Sequence, residues 1–457
     1  MLEVNGRYDG TSRFMKDQRW NFFPSFSLGW NVARENFWKP LESVVNQFKL
    51  RGSWGELGNQ NTSNLYPFYE ILPVKSNSGN WLVNGGKTNT ADIPSLVSTL
   101  LTWERVRSFN VGFDFGAFSN RLTGSFDYFV RKTVDMVGPA PQLPLVLGIA
   151  PAIVNNADMK SYGFEIELSW RDRIGEVDYG VKFNLADAQQ KVVKYPNTTN
   201  AFNDWYAGKM SGEIWGYTSL GIAKTDEEMK EHLASLPNGG QNQLGNKWGA
   251  GDIMYADING DGKIDGGKGT LADPGDQRII GNSTPRYNFG LVLDASYKGF
   301  DVSIFFQGVG KRDYAPIVGT NGAVFWGAVN NIWQSMAMEE HFDYFRPEGH
   351  PMGANLNGYY PRPDFTSNKN HQVQTRYLQD ASYIRLKNLQ IGYTLPKQWI
   401  NKLHINRCRV YVSGDNLWTG TSLASMFDPE TLAAGDWGSG KTYPLSKVIS
   451  FGLNVNF

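Results

Sequence analysis

Long hydrophobic runs are missing from this chain. The longest apolar passage, Pro144 to Val154, carries prolines and falls short of the ~18 residues that a transmembrane helix needs. A helical membrane protein is therefore excluded. Cysteine is nearly absent: Cys408 stands alone, permits no internal disulfide, and reads as a packed residue in a strand-like run. Charge of one sign is also missing. With 44 Lys+Arg against 44 Asp+Glu there is no basic surplus for nucleic acid and no acidic tail. The five histidines are scattered without metal spacing, and no HExxH, CxxC or phosphate-cradling glycine loop occurs. Adjacent acids such as Glu227-Glu228 and Glu339-Glu340 read as solvated loop helices, so no catalysis is expected. The N-terminus lacks the basic, apolar and small-residue succession of a signal peptide. Leu2, Val4, Gly6 and Tyr8 read instead as a strand already under way, which implies a chain that begins mid-protein.

What the 457 residues do contain is alternation. Tyr287, Phe289, Leu291, Leu293 and Ala295 share one parity, and Asn288, Gly290, Asp294 and Ser296 the other. After Lys298-Gly299 a second run starts: Phe300, Val302, Ile304 and Phe306 against Asp301, Ser303 and Gln307. Period two means strand, and a strand with one apolar face lies between oil and water. About twelve such segments follow one another, the last being Ile449 to Phe457. Their connections alternate short and long, with the longest near Pro196 to Thr284. A soluble sandwich or propeller has short loops on both sides. Brief turns on one side and long loops on the other are the pattern of an outer-membrane β-barrel, and 14% aromatic residues with 50 glycines suit its girdles and turns. The predicted fold class is thus all-β, an antiparallel up-and-down transmembrane barrel. The run from Tyr383 to Pro396 alternates poorly, because Arg385 and Lys387 fall on the parity of Leu389 and Ile391.

Two sets of loop residues invite a binding role. Asp257-x-Asn259-x-Asp261-Gly262-Lys263-x-Asp265 places oxygen donors at positions 1, 3, 5 and 9 with glycine at 6, the start of an EF-hand-type Ca²⁺ loop. Lys263 would offer its backbone carbonyl. Position 12 is Lys268 rather than glutamate, and Asp273 or Asp276 would have to supply the missing carboxylate; the alternative is a hydrated Asx-rich turn. Trp205, Tyr206, Trp248, Trp326, Trp333 and Trp437 are loop aromatics on which sugar C–H faces can stack, with loop packing or a membrane girdle as the plainer reading.

Several segments together resemble the C-terminal half of SusC/RagA-type TonB-dependent transporters of Bacteroidetes-like bacteria. They include Phe23-Pro24-Ser25-Phe26-Ser27-Leu28-Gly29-Trp30, Leu50-Arg51-Gly52-Ser53-Trp54-Gly55, Asp257-Ile258-Asn259-Gly260-Asp261-Gly262, Thr284-Pro285-Arg286-Tyr287 and Tyr383-Ile384-Arg385-Leu386-Lys387-Asn388-Leu389. The resemblance implies about 12 strands of a 22-stranded barrel, residues 1–457 forming its C-terminal part. The signal peptide, N-terminal domain, TonB box and plug would lie outside this sequence. It further implies a Gram-negative outer membrane, a SusD-like surface lipoprotein, TonB acting through the missing part, and an oligosaccharide ligand. Peptide import of the RagA type and a non-transporting surface adhesion barrel are the alternatives. Counting back from Phe457 at the periplasmic face puts every long loop outside. Half a barrel alone would leave two strand edges in lipid, each with about five unpaired backbone groups at several kcal/mol apiece, so the chain is expected to work only as a piece of something larger.

Overall fold

The computed structural model of this chain describes residues 1–62, 65–138, 146, 148–149, 151–316, 323–327, 338–364, 369–401, 404–432 and 442–457. The alternating segments form twelve long strands. These are β1 (Leu2–Gly10), β2 (Trp20–Asn31), β3 (Val45–Asn59), β4 (Glu104–Ala117), β5 (Leu122–Gly138) and β6 (Val154–Ile174). They continue with β7 (Val177–Lys194), β8 (Arg286–Tyr297), β9 (Phe300–Lys311), β10 (Tyr383–Thr394), β11 (Arg407–Thr421) and β12 (Val448–Asn456). All twelve belong to one sheet whose spatial order is the sequence order, the up-and-down arrangement. The other sheets among the described residues have two strands each, so no second large sheet is there to cover either face. β5 and β6 reach further into the Pro/Ala-rich connection than alternation alone suggests.

Short connections fall at one end of the strands. Two of them, Gly175-Glu176 and Lys298-Gly299, are two residues long; in the second both residues take positive φ (46° and 91°), a type I′ turn whose twist matches the flanking strands. At the other end lie the long segments 60–103, 195–285, 312–382 and 422–447. The chain divides into two compact units, Met1–Glu165 with Ala188–Met210, and Ile166–Asp187 with Ser211–Phe457.

In the first unit the register aligns Val4, Phe26, Trp54, Phe109 and Val130 in one row across β1 to β5. Val4, Phe26 and Phe109 stay exposed, as a lipid-facing row would. On the opposite face Arg51 donates to Asp127 at 2.9 and 3.1 Å and to Asp114 at 2.9 Å. Gly112 lies between Arg51 and Asp127 in the register. A Cβ there would collide with the Phe126 carbonyl and stand 2.6 Å from Asp127 Oδ1, so a side chain at this position would displace the carboxylate that Arg51 binds. At the long-loop end Phe14, Phe23, Leu101 and Trp103 form a small buried cluster.

The second unit repeats the division. Tyr179, Ala295, Val302, Ile391, Val412 and Phe451 form an apolar row from β7 to β12. The adjoining row on the other face reads Gly180, Asp294, Ser303, Gln390, Ser413 and Ser450. The poor alternation of β10 has a structural cause. The pairing with β9 skips Lys387, so Phe306 faces Leu386 and Phe305 faces Asn388. This bulge adds one residue and inverts the parity beyond it. Leu386, Leu389 and Ile391 therefore share the apolar face, and the expected placement of Arg385 with Leu389 is corrected. Arg385 is instead buried on the polar side, bonded to Thr419 and Asp428 at 2.8 Å each.

Candidate ligand-binding loops

The described parts of the long segments after β7, β9 and β11 share one core. Helix α1 (Asp226–Ala234) is capped by Thr225, whose hydroxyl accepts from Glu228 N, while Glu228 reaches back to Lys224 N. Its Met229 is buried. The core beneath collects Tyr217, Ile253, Tyr255 and Ile264 from one long segment, Phe325, Trp326, Tyr360 and Tyr377 from the next, and Leu423, Phe427 and Leu432 from the third. Burial pushes the Tyr255 hydroxyl well above its ordinary pKa and that of Tyr217 up to about 12. These phenols are structural: Tyr255 donates to Lys369 O at 2.7 Å.

Polar groups bind the three segments together. Asp252 is fully buried and accepts from Arg362 (2.8 and 2.6 Å), Lys369 Nζ (2.9 Å), Asn370 (2.9 Å) and Gly249 N (2.9 Å). Near the third segment Lys387 reaches Glu430 at 2.7 Å beside the Arg385–Asp428 pair. His371 differs from these. It is 1% exposed, its two ring nitrogens have no hydrogen-bond partner among the described residues, and it packs on Trp326 with centroids 4.5 Å apart. Burial lowers its pKa from 6.5 to about 4, with Asp364 pulling the other way.

The DxNxDG segment is a closed loop. Asp257 accepts from Gly260 N and Gly262 N at 2.6 and 2.8 Å, Asn259 from Asp261 N at 3.0 Å, and Asp261 from Lys263 N at 3.2 Å. Gly260 and Gly262 carry the positive φ (77° and 78°) that the bend requires. Lys263 Nζ stands 2.5 Å from Asp265 and 3.8 Å from Asp261. Its hydrogen bond holds the Asp265 carboxyl below the usual range, and burial raises that of Asp276 against N–H bonds from Asp265, Ile258 and Asn259. Asp273 contributes its backbone oxygen, which accepts from Lys268 and Thr270 N. Among the described residues no three His, Cys, Asp or Glu side chains converge as a metal ligand set.

The loop aromatics separate sharply. Trp326 is 1% exposed, with its ring 4.6 Å from that of Tyr377, so its expected role as a ligand platform is corrected: it is core. Trp248 packs on that core under Lys369 Nζ, 5.0 Å from its ring. Tyr206 and Trp205 flank Lys209 at 5.3 and 5.8 Å, and of these two Trp205 is the more exposed. Trp333 and Trp437 lie outside the described residues. Two clefts remain. One, of about 650 Å³, has tyrosine walls (Tyr359, Tyr360) and polar groups from Glu340, Asp343, Gln379 and Ser422. Glu340 is held ionised by the Ser425 hydroxyl, which donates to it. The other, of about 420 Å³, lies at the outer ends of β5 to β7 beside Trp205. Sequence reasoning missed both, since neither spacing nor composition signals which loop residues converge.

A wide up-and-down sheet, apolar on one face and ion-paired on the other, with its folded loops gathered at one end, defines a membrane β-barrel wall. A family model described as "TonB dependent receptor-like, beta-barrel" matches residues 1–417, and the chain belongs to that family. It is 30% identical to TonB-dependent receptor P3 of Formosa agariphila over 487 aligned positions, covering 100% of this chain and 44% of that protein. It is 24% identical to TonB-dependent receptor SusC of Bacteroides thetaiotaomicron, covering 99% of this chain and 41% of that one. The chain thus spans less than half the length of these relatives, which are receptors and not enzymes. The RagAB peptide transporter structure superposes with a TM-score of 0.73 at 22% identity, covering 100% of this chain and 46% of the other, a likeness of fold.

Proposed function

We propose that the chain forms part of an outer-membrane, TonB-dependent importer of the SusC type. In this reading it takes up oligosaccharides together with a SusD-like lipoprotein at the cell surface. One observation carries the reading: the sheet has a polar face ready to line a lumen, and its folded, cleft-bearing loops all lie at the same strand end. The larger cleft supports a polyhydroxylated ligand, because carboxylates, an amide and a hydroxyl beside the partly exposed Tyr359 can pair hydroxyls while stacking a ring. Uptake of labelled oligosaccharides by cells carrying the full-length receptor tests it. Uptake that disappears on deleting TonB supports the proposal. Accumulation of labelled peptides alone would transfer it to the RagA type, and surface binding without TonB-dependent entry would leave an adhesin.

The DxNxDG loop is part of the proposal, as a Ca²⁺ site that stiffens the outer loops. Each Asp257 oxygen accepts one N–H and keeps a lone pair, and Lys263 already places a cation against Asp261 and Asp265. A divalent ion would take over from that ammonium, held by Asp257, Asn259, Asp261, Asp265 and the Lys263 carbonyl. Surface modules of this kind need only ~10⁻⁴–10⁻³ M affinity. Calorimetry on the intact receptor should show Ca²⁺ heat that Asp261→Ala abolishes; no heat in the native protein would discard the ion.

A further inference from the structure

The smaller cleft has a composition that polar-ligand recognition does not explain. Its walls are Met136, Met159, Val192 and Trp205, and its floor is Gly138 and Ala157. Gly138 lies close against β6: a Cβ there would collide with Asn156 Oδ1 and stand 3.1 Å from the Ala157 methyl. Strand parity puts Ala157 and Met159 opposite Tyr162 and Phe164, and Val192 and Lys194 opposite Val181 and Phe183. Ala157, Met159, Val192 and Lys194 therefore share the parity of the polar face.

Its polar inventory is short. Asp158 Oδ1 accepts from Asp135 N at 2.9 Å, and the Tyr195 hydroxyl is hydrogen-bonded to Asp204. Lys194 has no ion-pair partner among the described residues. A bare sugar ring would bring several hydroxyls to walls that offer them almost nothing, and each unpaired hydroxyl weakens binding. A flat or branched apolar group fits methionines and an indole, because thioether side chains adapt to irregular shapes and pack against rings. About 420 Å³ exceeds the ~150 Å³ cavity that holds one benzene ring, which leaves room for the ring together with the unit that carries it. The ammonium at the rim asks for a negative charge beside it.

We propose that this cleft is a ligand subsite for an apolar, ring-sized group flanked by a carboxylate, the group packed against Trp205 and the carboxylate on Lys194. Two sources carry that chemistry: the C-terminal aromatic residue of a short peptide, or an aryl-substituted uronic sugar. The proposal rests on the import reading for its purpose. Its measurement does not, because binding is read on purified receptor without energisation.

Calorimetry on the full-length receptor in detergent would use Gly-Gly-Phe and phenyl β-D-glucuronide as probes. Gly-Gly-Gly, Gly-Gly-Phe amide, glucuronate and phenyl β-D-glucoside are the controls. At least one acid probe should bind about ten-fold tighter than each of its controls. Tight binding of the peptide alone, the glucuronide alone, or both supports the subsite and names its source. Lys194→Gln should erase the preference for acid over amide or glucoside while the aromatic preference survives. Ala157→Phe, which fills the floor, should remove the aromatic preference; if that variant misfolds, Trp205→Ala at the exposed wall gives the same reading. Probes that bind no better than controls would overturn the proposal. So would affinities unmoved in both folded wall variants.

Discussion

His371 should make the outer loop body sensitive to acid. The ring is 1% exposed, packed on Trp326, and without a hydrogen-bond partner on either nitrogen among the described residues, so the attraction of Asp364 is all that opposes the burial of its charge. Its pKa falls from 6.5 in the open chain to about 4 in the folded one, because burial penalises the imidazolium. The folded state thus binds fewer protons than the unfolded state across that window. Stability is fully present above about pH 6.5 and declines as pH drops toward about 4. The interval of about 2.5 pH units corresponds to about 3 kcal/mol at 1.36 kcal/mol per unit. That is enough to shift local opening by about a hundred-fold. Hydrogen exchange of the full-length receptor, corrected for intrinsic rates, should show protection of residues 253–255 and 371–377 falling between pH 6.5 and pH 4.5. His371→Phe keeps a ring against Trp326 and removes the titration, so its protection should stay level over the same range. Equal acid loss in native and variant receptor would refute the assignment to His371.

Other positions give equally definite outcomes. Asp428→Ala should destabilise by about 1.5–3 kcal/mol, because the buried Arg385 loses one charged hydrogen bond while Glu430 stays at 3.0 Å, and proteolysis within 422–432 should accelerate. Asp252→Ala removes the acceptor shared by Arg362, Lys369 and Asn370, so the melting transition of the loop body should drop while the strands stay folded. Ile304→Arg, in mid-strand on the apolar face, should cost about 2–4 kcal/mol in folding into vesicles, whereas Ser303→Arg on the polar face should cost far less. Comparable penalties at these two neighbours would refute the facing of the sheet.

Much of the wall was legible from residue order alone. Phe300 to Phe306 alternates cleanly because one side must meet lipid and the other water, and that demand is local to each strand. The short turn at Lys298-Gly299 and the long segments opposite it fixed which strand ends share a side. β10 shows the limit. Its bulge at Lys387 is set by the partners Phe305 and Phe306, and no property of the segment itself reveals which residue is skipped. The Arg51 fork is similar: Asp127 lies 76 residues away, and their meeting depends on the register of three strands.

The loops were least legible. Trp205 and Trp326 look alike in sequence, as aromatics in polar surroundings. Packing of three distant segments buries one against Tyr377 and His371 and leaves the other at the rim of a cleft. Sequence by itself determined the strands, their facing outside β10 and the alternation of short and long connections, since period and turn chemistry act between near neighbours. Tertiary structure alone decided which loop side chains are core, which line a cleft, and which histidine is cut off from water, because burial is a property of what the rest of the chain brings to the same place.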